Sequence, residues 1–412
     1  MLGILVLFLK QIMESFKKLG IIEPVLRAIQ EEKFERPTEV QEKSIPLVLA
    51  GKDVIAESAT GSGKTLAFGC GIIQNCENRR GIQALVLTPT RELAEQNTKE
   101  LRKFSKYKPL HIAVVYGGVS INPQIMELKR ADVVVGTPGR LLDHMQRRTI
   151  QLDRVKILVL DEADRMLDMG FIEDVERIIR HCPEKRQTLL FSATITHDVA
   201  RLVNRYMKDP VKISAEIYVD PKKLKQVYYD VLDDIKFSLL VHLLKHEKSG
   251  LVMVFCNTRR TVDFVANNLE AAGIDAMAIH GGLSQEKRNS VMRHFHSQKI
   301  YVLVCTDVAA RGLDIKGVSH IYNYDIPKDA NHYIHRIGRT ARAGKEGKVI
   351  NLLSPMDHEN FRRVNQESGA EITKEHMPEV KKVWITWTGR PQRYGQRREY
   401  RGPRREYRRS RW

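Results

Sequence analysis

Residues 58–65 have the composition of a phosphate-binding loop. They read SATGSGKT, follow the apolar segment DVIAE and precede LAFGCGII, so they join a candidate strand to a candidate helix. Glycines let backbone N–H groups turn toward phosphate oxygens, and the following helix N-terminus adds positive potential. The lysine has the reach to contact the β and γ phosphates, and the threonine hydroxyl can bind Mg²⁺. The expected nucleotide-binding residues are Ser58, Ala59, Thr60, Gly61, Ser62, Gly63, Lys64 and Thr65.

A second chemical group follows the apolar segment ILVL, as Asp161-Glu162-Ala163-Asp164. Carboxylates at the C-terminal end of a parallel strand face the crevice where ligands bind. Asp161 is therefore expected to hold Mg²⁺ through water, and Glu162 to orient and deprotonate an attacking water. Together with Lys64, these carboxylates predict hydrolysis of a nucleotide phosphate.

The elements that must position these groups alternate short apolar runs with amphipathic helical stretches. Several runs, such as TLLF and LVMVF, are continuously apolar, which is typical of strands buried on both faces of a parallel sheet. Two consecutive α/β sets therefore predict two doubly wound domains. The predicted strands lie at 53–59, 84–88, 113–116, 132–136, 157–160 and 188–191, and then at 227–231, 251–255, 276–279, 302–305, 320–324 and 349–353.

The chain length of 412 residues exceeds what one hydrophobic core usually supports. We predict a first domain over residues 13–218, a linker over 219–225 (VDPKKLK), a second domain over 226–370 and a basic tail over 371–412.

The first twelve residues are an apolar start that is too short to span a bilayer and has no cleavage site. We expect them to be an upstream extension, with Met13 as the native start, and we expect a cytoplasmic protein without membrane contact. The five cysteines form no C-x-x-C pair and are expected to be reduced and mostly buried.

The chain carries 68 Lys and Arg against 50 Asp and Glu, a formal charge of +18 that suggests an anionic partner, nucleic acid or a membrane surface. Residues 389–412 hold ten arginines and two glutamates, hence +8, with tyrosines between them. We expect this segment to be disordered from about residue 389. Arginine beside aromatic residues favours a tail that binds phosphates and stacks bases over a merely solubilising one.

The order of further motifs over residues 16–355 resembles the DEAD-box RNA helicases. These motifs are PTEVQ at 37–41, PTRELA at 89–94, TPGR at 137–140, SAT at 192–194, HGG at 280–282, QEKR at 285–288, TDVAARGLD at 306–314 and HRIGRTAR at 335–342. The resemblance implies two tandem RecA-like domains, ATP and Mg²⁺ as cofactors, and RNA-stimulated ATP hydrolysis that unwinds short duplexes locally or remodels ribonucleoproteins.

The resemblance also assigns roles to individual residues. Gln41 and Phe34 would bind adenine, with Gly312 and Asp314 at the nucleotide and Asp314 on its ribose. Arg339 and Arg342 would be arginine fingers. Ser192, Thr194, Asp164, His335 and Arg336 would couple hydrolysis to unwinding, with Arg336 linking the fingers to the carboxylates. The implied RNA-binding residues are Pro89, Thr90, Arg91, Gly117, Gly118, Thr137, Pro138, Gly139, Arg140, Gly281, Gly282 and Thr306.

Two positions depart from the family pattern. Ser58 stands in place of a small Ala or Gly, and Ala341 stands where Gly is usual. The second departure is expected to stiffen or displace the turn between the two fingers.

Three alternatives define what the sequence leaves open. A DNA-directed translocase of the wider superfamily is disfavoured by PTEVQ and by the DEAD letters. An ATP-controlled RNA clamp that does not unwind would share every motif. A GTPase is disfavoured because no N-K-x-D motif is present.

The RNA contacts have residues suited to phosphate and sugar, so we predict sequence-independent binding by a monomer. The sequence names no protein partner.

Overall fold

The computed structural model describes residues 13–58, 62–214, 224–310, 315, 317–341, 346–368 and 371–385. Two seven-stranded parallel sheets occupy these residues, each with helices on both faces. Residues 1–12, the linker residues 219–223 and the basic segment from residue 389 lie outside the described residues, so the predictions for them stay predictions.

The first sheet has the strand order β3-β4-β2-β5-β6-β1-β7. Its strands are β1 (Val54–Glu57), β2 (Ala84–Leu87), β3 (Ile112–Val115), β4 (Val133–Gly136), β5 (Ile157–Asp161), β6 (Gln187–Ser192) and β7 (Val211–Ser214). Its helices are α1 (Glu23–Glu31), α2 (Glu39–Leu49), α3 (Lys64–Asn75), α4 (Arg91–Phe104), α5 (Asn122–Leu128), α6 (Pro138–Gln146), α7 (Ala163–Asp168), α8 (Ile172–Arg180) and α9 (His197–Tyr206).

The second sheet has the order β10-β11-β9-β12-β13-β8-β14. Its strands are β8 (Leu224–Asp230), β9 (Leu251–Phe255), β10 (Ala276–Ile279), β11 (Val302–Cys305), β12 (Val318–Asn323), β13 (Gly347–Leu353) and β14 (Thr373–Lys374). Its helices are α10 (Asp233–His246), α11 (Arg259–Ala271), α12 (Gln285–His296), α13 (Asp307–Ala310), α14 (Ala330–Ile337) and α15 (His358–Ser368).

The central strands are buried along their whole length because both faces of each sheet are covered. Every residue of β2, β5, β6, β9 and β11 is buried. Alternate residues of a strand point into opposite helical layers, so each sheet separates two apolar clusters. This packing explains the continuous apolar runs and confirms the predicted pair of doubly wound α/β domains.

All twelve predicted strands are present, with end points shifted by up to three residues. The sequence prediction missed β7 and β14. β7 lies at the sheet edge with one of its four residues buried, so it carries no continuous apolar run. β14 is an edge strand with two exposed residues, and it pairs with β8.

Two predicted boundaries are wrong. Leu224 and Lys225 belong to β8, where they pair with Gly347 and Lys348, and so are not part of a linker. Residues 371–385, which we call the strap, are packed on the second domain, because β14 extends its sheet and Met377, Val380 and Val383 contact its apolar cluster. The Val383 N–H donates to Ser238 Oγ at 3.0 Å.

All five cysteines are buried and unpaired, as expected. Within the described ranges, no helix is long and apolar enough to cross a membrane.

Candidate active site

The phosphate loop joins β1 to α3, as the sequence predicts. Gly63 precedes α3 with φ +89°, a conformation that favours glycine, and a Cβ there would lie 2.3 Å from Gln41 Nε2. Lys64 is buried, and its Nζ donates to Ser58 O at 3.1 Å, so the ammonium is held beside the end of β1. Ala59, Thr60 and Gly61 lie outside the described residues.

Gln41 holds this loop from the side. Its Nε2 donates to Gly63 O at 3.0 Å, and its Oε1 accepts from Thr38 N at 3.0 Å. The Thr38 hydroxyl donates to Ser62 O at 2.7 Å, so the start of α2 is tied directly to the phosphate loop. Phe34 is half-buried with its ring edge-on to Phe16 and Phe104. The adenine roles of Gln41 and Phe34 stay predictions.

Asp161, at the end of β5, is linked to Thr65 on α3 by the side-chain amide of Asn97. Thr65 Oγ1 donates to Asn97 Oδ1 at 3.1 Å, and Asn97 Nδ2 donates to Asp161 Oδ2 at 2.8 Å. Asp161 Oδ1 is buried and has no hydrogen-bond partner among the described residues. Burial raises the pKa of Asp161 to about 6, against the lowering influence of the Lys64 charge. A hydroxyl and an orphaned carboxylate oxygen are hard oxygen donors, so Thr65 and Asp161 fit Mg²⁺.

Glu162 occupies a strained turn between β5 and α7. Its φ and ψ are both 52°, a left-handed conformation that costs a non-glycine residue about 1–3 kcal/mol and that persists where the surrounding structure enforces it. Its Oε2 accepts from Arg165 Nη1 at 2.7 Å, and both side chains are almost fully buried. The buried guanidinium fixes the orientation of the Glu162 carboxylate, which a general base requires.

Asp164 connects the carboxylates to β6 and to the second domain. Its Oδ2 accepts from the N–H groups of Ala193 and Thr194 at 3.2 and 3.0 Å, and from Thr194 Oγ1 at 3.1 Å. Ser192 Oγ accepts from the Asp164 N–H at 3.1 Å. From the other domain, His335 Nε2 lies 3.6 Å from Asp164 Oδ2. Burial, with the Arg165 charge, lowers the pKa of His335.

Arg336 lies inside the second domain. Its guanidinium donates to both oxygens of Asp307 at 2.6 and 2.7 Å, and also to Asn257, Asn323 and the Asp325 carbonyl. The resemblance assigned Arg336 the contact with the DEAD carboxylates. In this structure His335 makes that contact, and Arg336 orders the loops that follow β9, β11 and β12.

Arg339 follows α14 and is buried at 2% exposure. Arg342, Gly312 and Asp314 lie outside the described residues, so their roles stay predictions. Ala341 has φ +53°, a left-handed conformation at the position where the family pattern has glycine.

We expect Ala341→Gly to raise the free energy of unfolding by about 0.5–1 kcal/mol. The left-handed conformation costs an L-residue about 1–2 kcal/mol, which exceeds the unfolded-state entropy of roughly 0.4–1 kcal/mol that glycine adds. Thermal melting checks this expectation. Ala330→Gly, within helix α14, is the matched control and should lower stability. An equal loss of stability in both variants would contradict the strain at Ala341.

Three segments of the first domain that were predicted to bind RNA lie together. A Cβ at Gly118 would lie 2.1 Å from the Arg91 guanidinium, so glycine is what allows this close approach. Arg140 Nη2 donates to Val119 O at 3.0 Å. Thr90 and Thr137 are the N-cap residues of α4 and α6. The surface therefore combines two arginines with the N-termini of two helices, a combination suited to phosphate.

In the second domain, the turn at Gly281 and Gly282 is held by His280. Its Nδ1 accepts from the Gly282 N–H at 3.1 Å, and its Nε2 lies 2.9 Å from Asp263 Oδ1. Thr306, by contrast, is buried, and its hydroxyl accepts from Ala309 N at 3.4 Å. Gly281 and Gly282 are exposed at the surface, whereas Thr306 caps the turn into α13.

A cross-domain ion pair lies beside this surface. Arg288 Nη2 is 2.8 Å from Glu92 Oε1, and Gln285 Nε2 donates to the same oxygen at 3.4 Å. Both charged side chains are only 14% exposed. Sequence reasoning placed these residues in separate motifs without pairing them.

We expect Arg288→Glu to lower RNA-stimulated ATP turnover by roughly tenfold, because two carboxylates would then oppose closure of the domains. Adding Glu92→Arg should restore part of the loss, with a coupling of about 0.5–3 kcal/mol in the double-mutant cycle. Lys287→Glu, an equal charge change at an exposed neighbour, is the control. Strictly additive single and double variants would contradict a functional ion pair.

The fold and site thus define a two-domain, RecA-like, phosphate-loop protein, and comparisons agree. The family model DEAD/DEAH box helicase matches residues 38–202 and Helicase conserved C-terminal domain matches residues 235–344. ATP-dependent RNA helicase CshA of Listeria monocytogenes is 47% identical over 369 residues, 89% of this chain and 70% of that protein. The chain therefore belongs to the DEAD-box RNA helicase family.

Solved structures also indicate how the domains are arranged. S. cerevisiae Dbp5 bound to RNA and ADP BeF3 is 33% identical with TM-score 0.80, covering 88% of this chain and 95% of that chain. A Dbp5 variant bound to Nup159, Gle1, IP6 and ADP is 32% identical with TM-score 0.62, covering 86% of this chain and 95% of that chain. The domains here are thus arranged more like those of the RNA complex, consistent with the contacts of Glu92 and Asp164 across the cleft.

Proposed function

We propose that this chain hydrolyses ATP in a cleft that both domains complete, and that RNA bound across the two domains stimulates the reaction. The observation that carries the proposal is the pair of cross-domain contacts, Asp164 with His335 and Glu92 with Arg288. The contact of Asp164 with His335 lies at the carboxylates proposed for hydrolysis. The contact of Glu92 with Arg288 lies next to Arg91, on the proposed RNA surface. One closure therefore assembles both sites.

The residues divide the chemistry between them. Thr65 and Asp161 would hold Mg²⁺, which when bound neutralises charge on the phosphate oxygens. Lys64 contacts the phosphates, and Glu162, fixed by Arg165, accepts the proton of the attacking water. Arg339 contributes positive charge from the second domain, with Arg342 as the second finger. Since these arginines act across the cleft, turnover depends on closure.

RNA and ATP are cooperative in this scheme because each binds the closed arrangement better, and linkage makes the effect reciprocal. The surface formed by Arg91, Gly118 and Arg140 is suited to phosphate and sugar, so binding is independent of sequence. An RNA strand that is held against both domains cannot keep the geometry of a duplex. Its partner strand is therefore released, so that short duplexes separate locally. We place the activity in the cytoplasm, in a monomer.

An unwinding assay with a short RNA duplex at saturating ATP tests the proposal. Strand separation with RNA and not with a matched DNA duplex supports it. An ATP-dependent hold on single-stranded RNA without separation would favour the RNA clamp, and equal activity on DNA would favour the translocase.

We further propose that the basic residues 389–412 tether RNA. The strap lies on the second domain, and its Trp384, at 98% exposure, is available to stack a base. A chain ending at residue 388 should bind RNA more weakly, with a flatter salt dependence, because phosphate contacts release counterions. Its ATPase at saturating RNA should be largely kept.

A chain ending at residue 370 is the companion variant. It also loses β14, the Lys225–Glu375 ion pair of 2.7 Å and the contacts of Met377, Val380 and Val383. Its melting temperature should therefore be lower than that of the full chain, whereas the chain ending at 388 should have the same melting temperature as the full chain. Unchanged RNA affinity and salt slope after removal of 389–412 would reduce that segment to a solubilising role.

A further inference from the structure

Asn97 is a fully buried polar residue on a helix face that is otherwise largely apolar. Its neighbours on the inner face of α4 are Leu93, Ala94, Leu101 and Phe104, all buried. Asparagine is a poor residue for a helix interior, and burying an amide is costly unless it is hydrogen-bonded. The side chain therefore requires an explanation from its contacts.

Both ends of the Asn97 amide are used, and each contacts a residue of the proposed magnesium site. Oδ1 accepts from the Thr65 hydroxyl at 3.1 Å, and Nδ2 donates to Asp161 Oδ2 at 2.8 Å. Because the hydroxyl proton points to Asn97, the lone pairs of Thr65 Oγ1 are directed away from it. Because Oδ2 is occupied, Asp161 Oδ1 is the carboxylate oxygen left for a cation or its water.

We propose that Asn97 is a positioning residue for Mg²⁺, orienting Thr65 and Asp161 before the metal and nucleotide arrive. The inference rests on the proposed magnesium site at these two residues. Asn97 does not touch the metal and acts through its neighbours, as residues that hydrogen-bond to metal ligands do. Such residues typically contribute a factor of about 10–100 to metal affinity.

The position of Asn97 on α4 gives this arrangement a further consequence. The same helix begins with Arg91 and Glu92, which approach Gly118 and contact Arg288. One rigid element therefore joins the RNA surface, the cross-domain ion pair and the magnesium ligands.

The test measures binding of a fluorescent, non-hydrolysable ATP analogue as a function of Mg²⁺, and again in EDTA. Asn97→Leu keeps the number and branching of the side-chain heavy atoms and removes both hydrogen bonds, and Asn97→Ala is a second, smaller variant that avoids overpacking. Both should raise the Mg²⁺ concentration at half-maximal effect by about 10–100-fold, with affinity in EDTA within about twofold of wild type. Thr98→Val is the control, since Thr98 is equally buried and its hydroxyl has no partner within the described part of the chain.

A Mg²⁺ midpoint within twofold of wild type in the folded Asn97 variants would overturn the inference. So would an equal loss of affinity with and without Mg²⁺, because that result would indicate a general packing role. Nucleotide binding by the wild-type chain that does not respond to Mg²⁺ would instead contradict the magnesium site itself. Thermal melting of each variant identifies those that are folded.

Discussion

Replacing Arg339 by alanine should lower RNA-stimulated ATP turnover by at least about 10³-fold, since arginine fingers contribute about 10³–10⁵ to phosphoryl transfer. Arg339 comes from the second domain and is buried after α14, so we expect its charge to act on the nucleotide only in the closed arrangement. Steady-state turnover at saturating ATP and RNA measures the effect. Nucleotide and RNA affinities should change by no more than a few fold.

Two variants sharpen this prediction. Arg339→Lys keeps the charge but loses the planar fork that contacts several oxygens at once, so it should recover little activity. Arg293→Ala removes an exposed arginine of the same domain and should be neutral. Turnover of Arg339→Ala within tenfold of wild type would remove Arg339 from the catalytic residues and leave Arg342 as the finger to test.

Glu162→Gln should lower turnover by about 10²–10⁴, the usual contribution of a general base. Glutamine keeps the shape of the side chain and can still accept from Arg165, so the buried pair is not left with an unpartnered guanidinium. ATP and RNA should therefore still bind, and the closed complex should accumulate. Single-turnover hydrolysis measures the loss of the chemical step, and fluorescence binding of a nucleotide measures whether affinity is kept.

Glu173→Gln is the matched control, since Glu173 is exposed on α8 and has no assigned role in the active site. It should be indistinguishable from wild type. Normal turnover in Glu162→Gln would contradict its assignment as the base, and loss of nucleotide binding in that variant would point to a structural role instead.

The sequence was sufficient to predict most strands and the phosphate loop because both depend on local signals. Apolar runs such as Leu251–Phe255 identify buried parallel strands, and GSGKT identifies a strand-to-helix loop. β7 was missed because an edge strand needs no continuous apolar run. The strap was missed because its apolar contacts, Met377, Val380 and Val383, are separated by proline and charged residues.

The parts of the site that sequence did not predict are those made by tertiary contacts. Arg165 lies three residues after Glu162 and was a detectable signal, since this spacing places both on one side of a helix start. Asn97 lies 64 residues from Asp161 in the chain, and Glu92 lies far from Arg288. No local pattern indicates such pairs, and the contact of His335 with Asp164 likewise joins residues of different domains.

ATP turnover by the full chain, measured as single-stranded RNA is added, tests the central claim most directly. If both domains must close on RNA to complete the site, turnover should be slow without RNA and should rise to a plateau with RNA. The Arg288→Glu variant should reach a lower plateau. ATP turnover that is unchanged by RNA at any concentration would contradict the account.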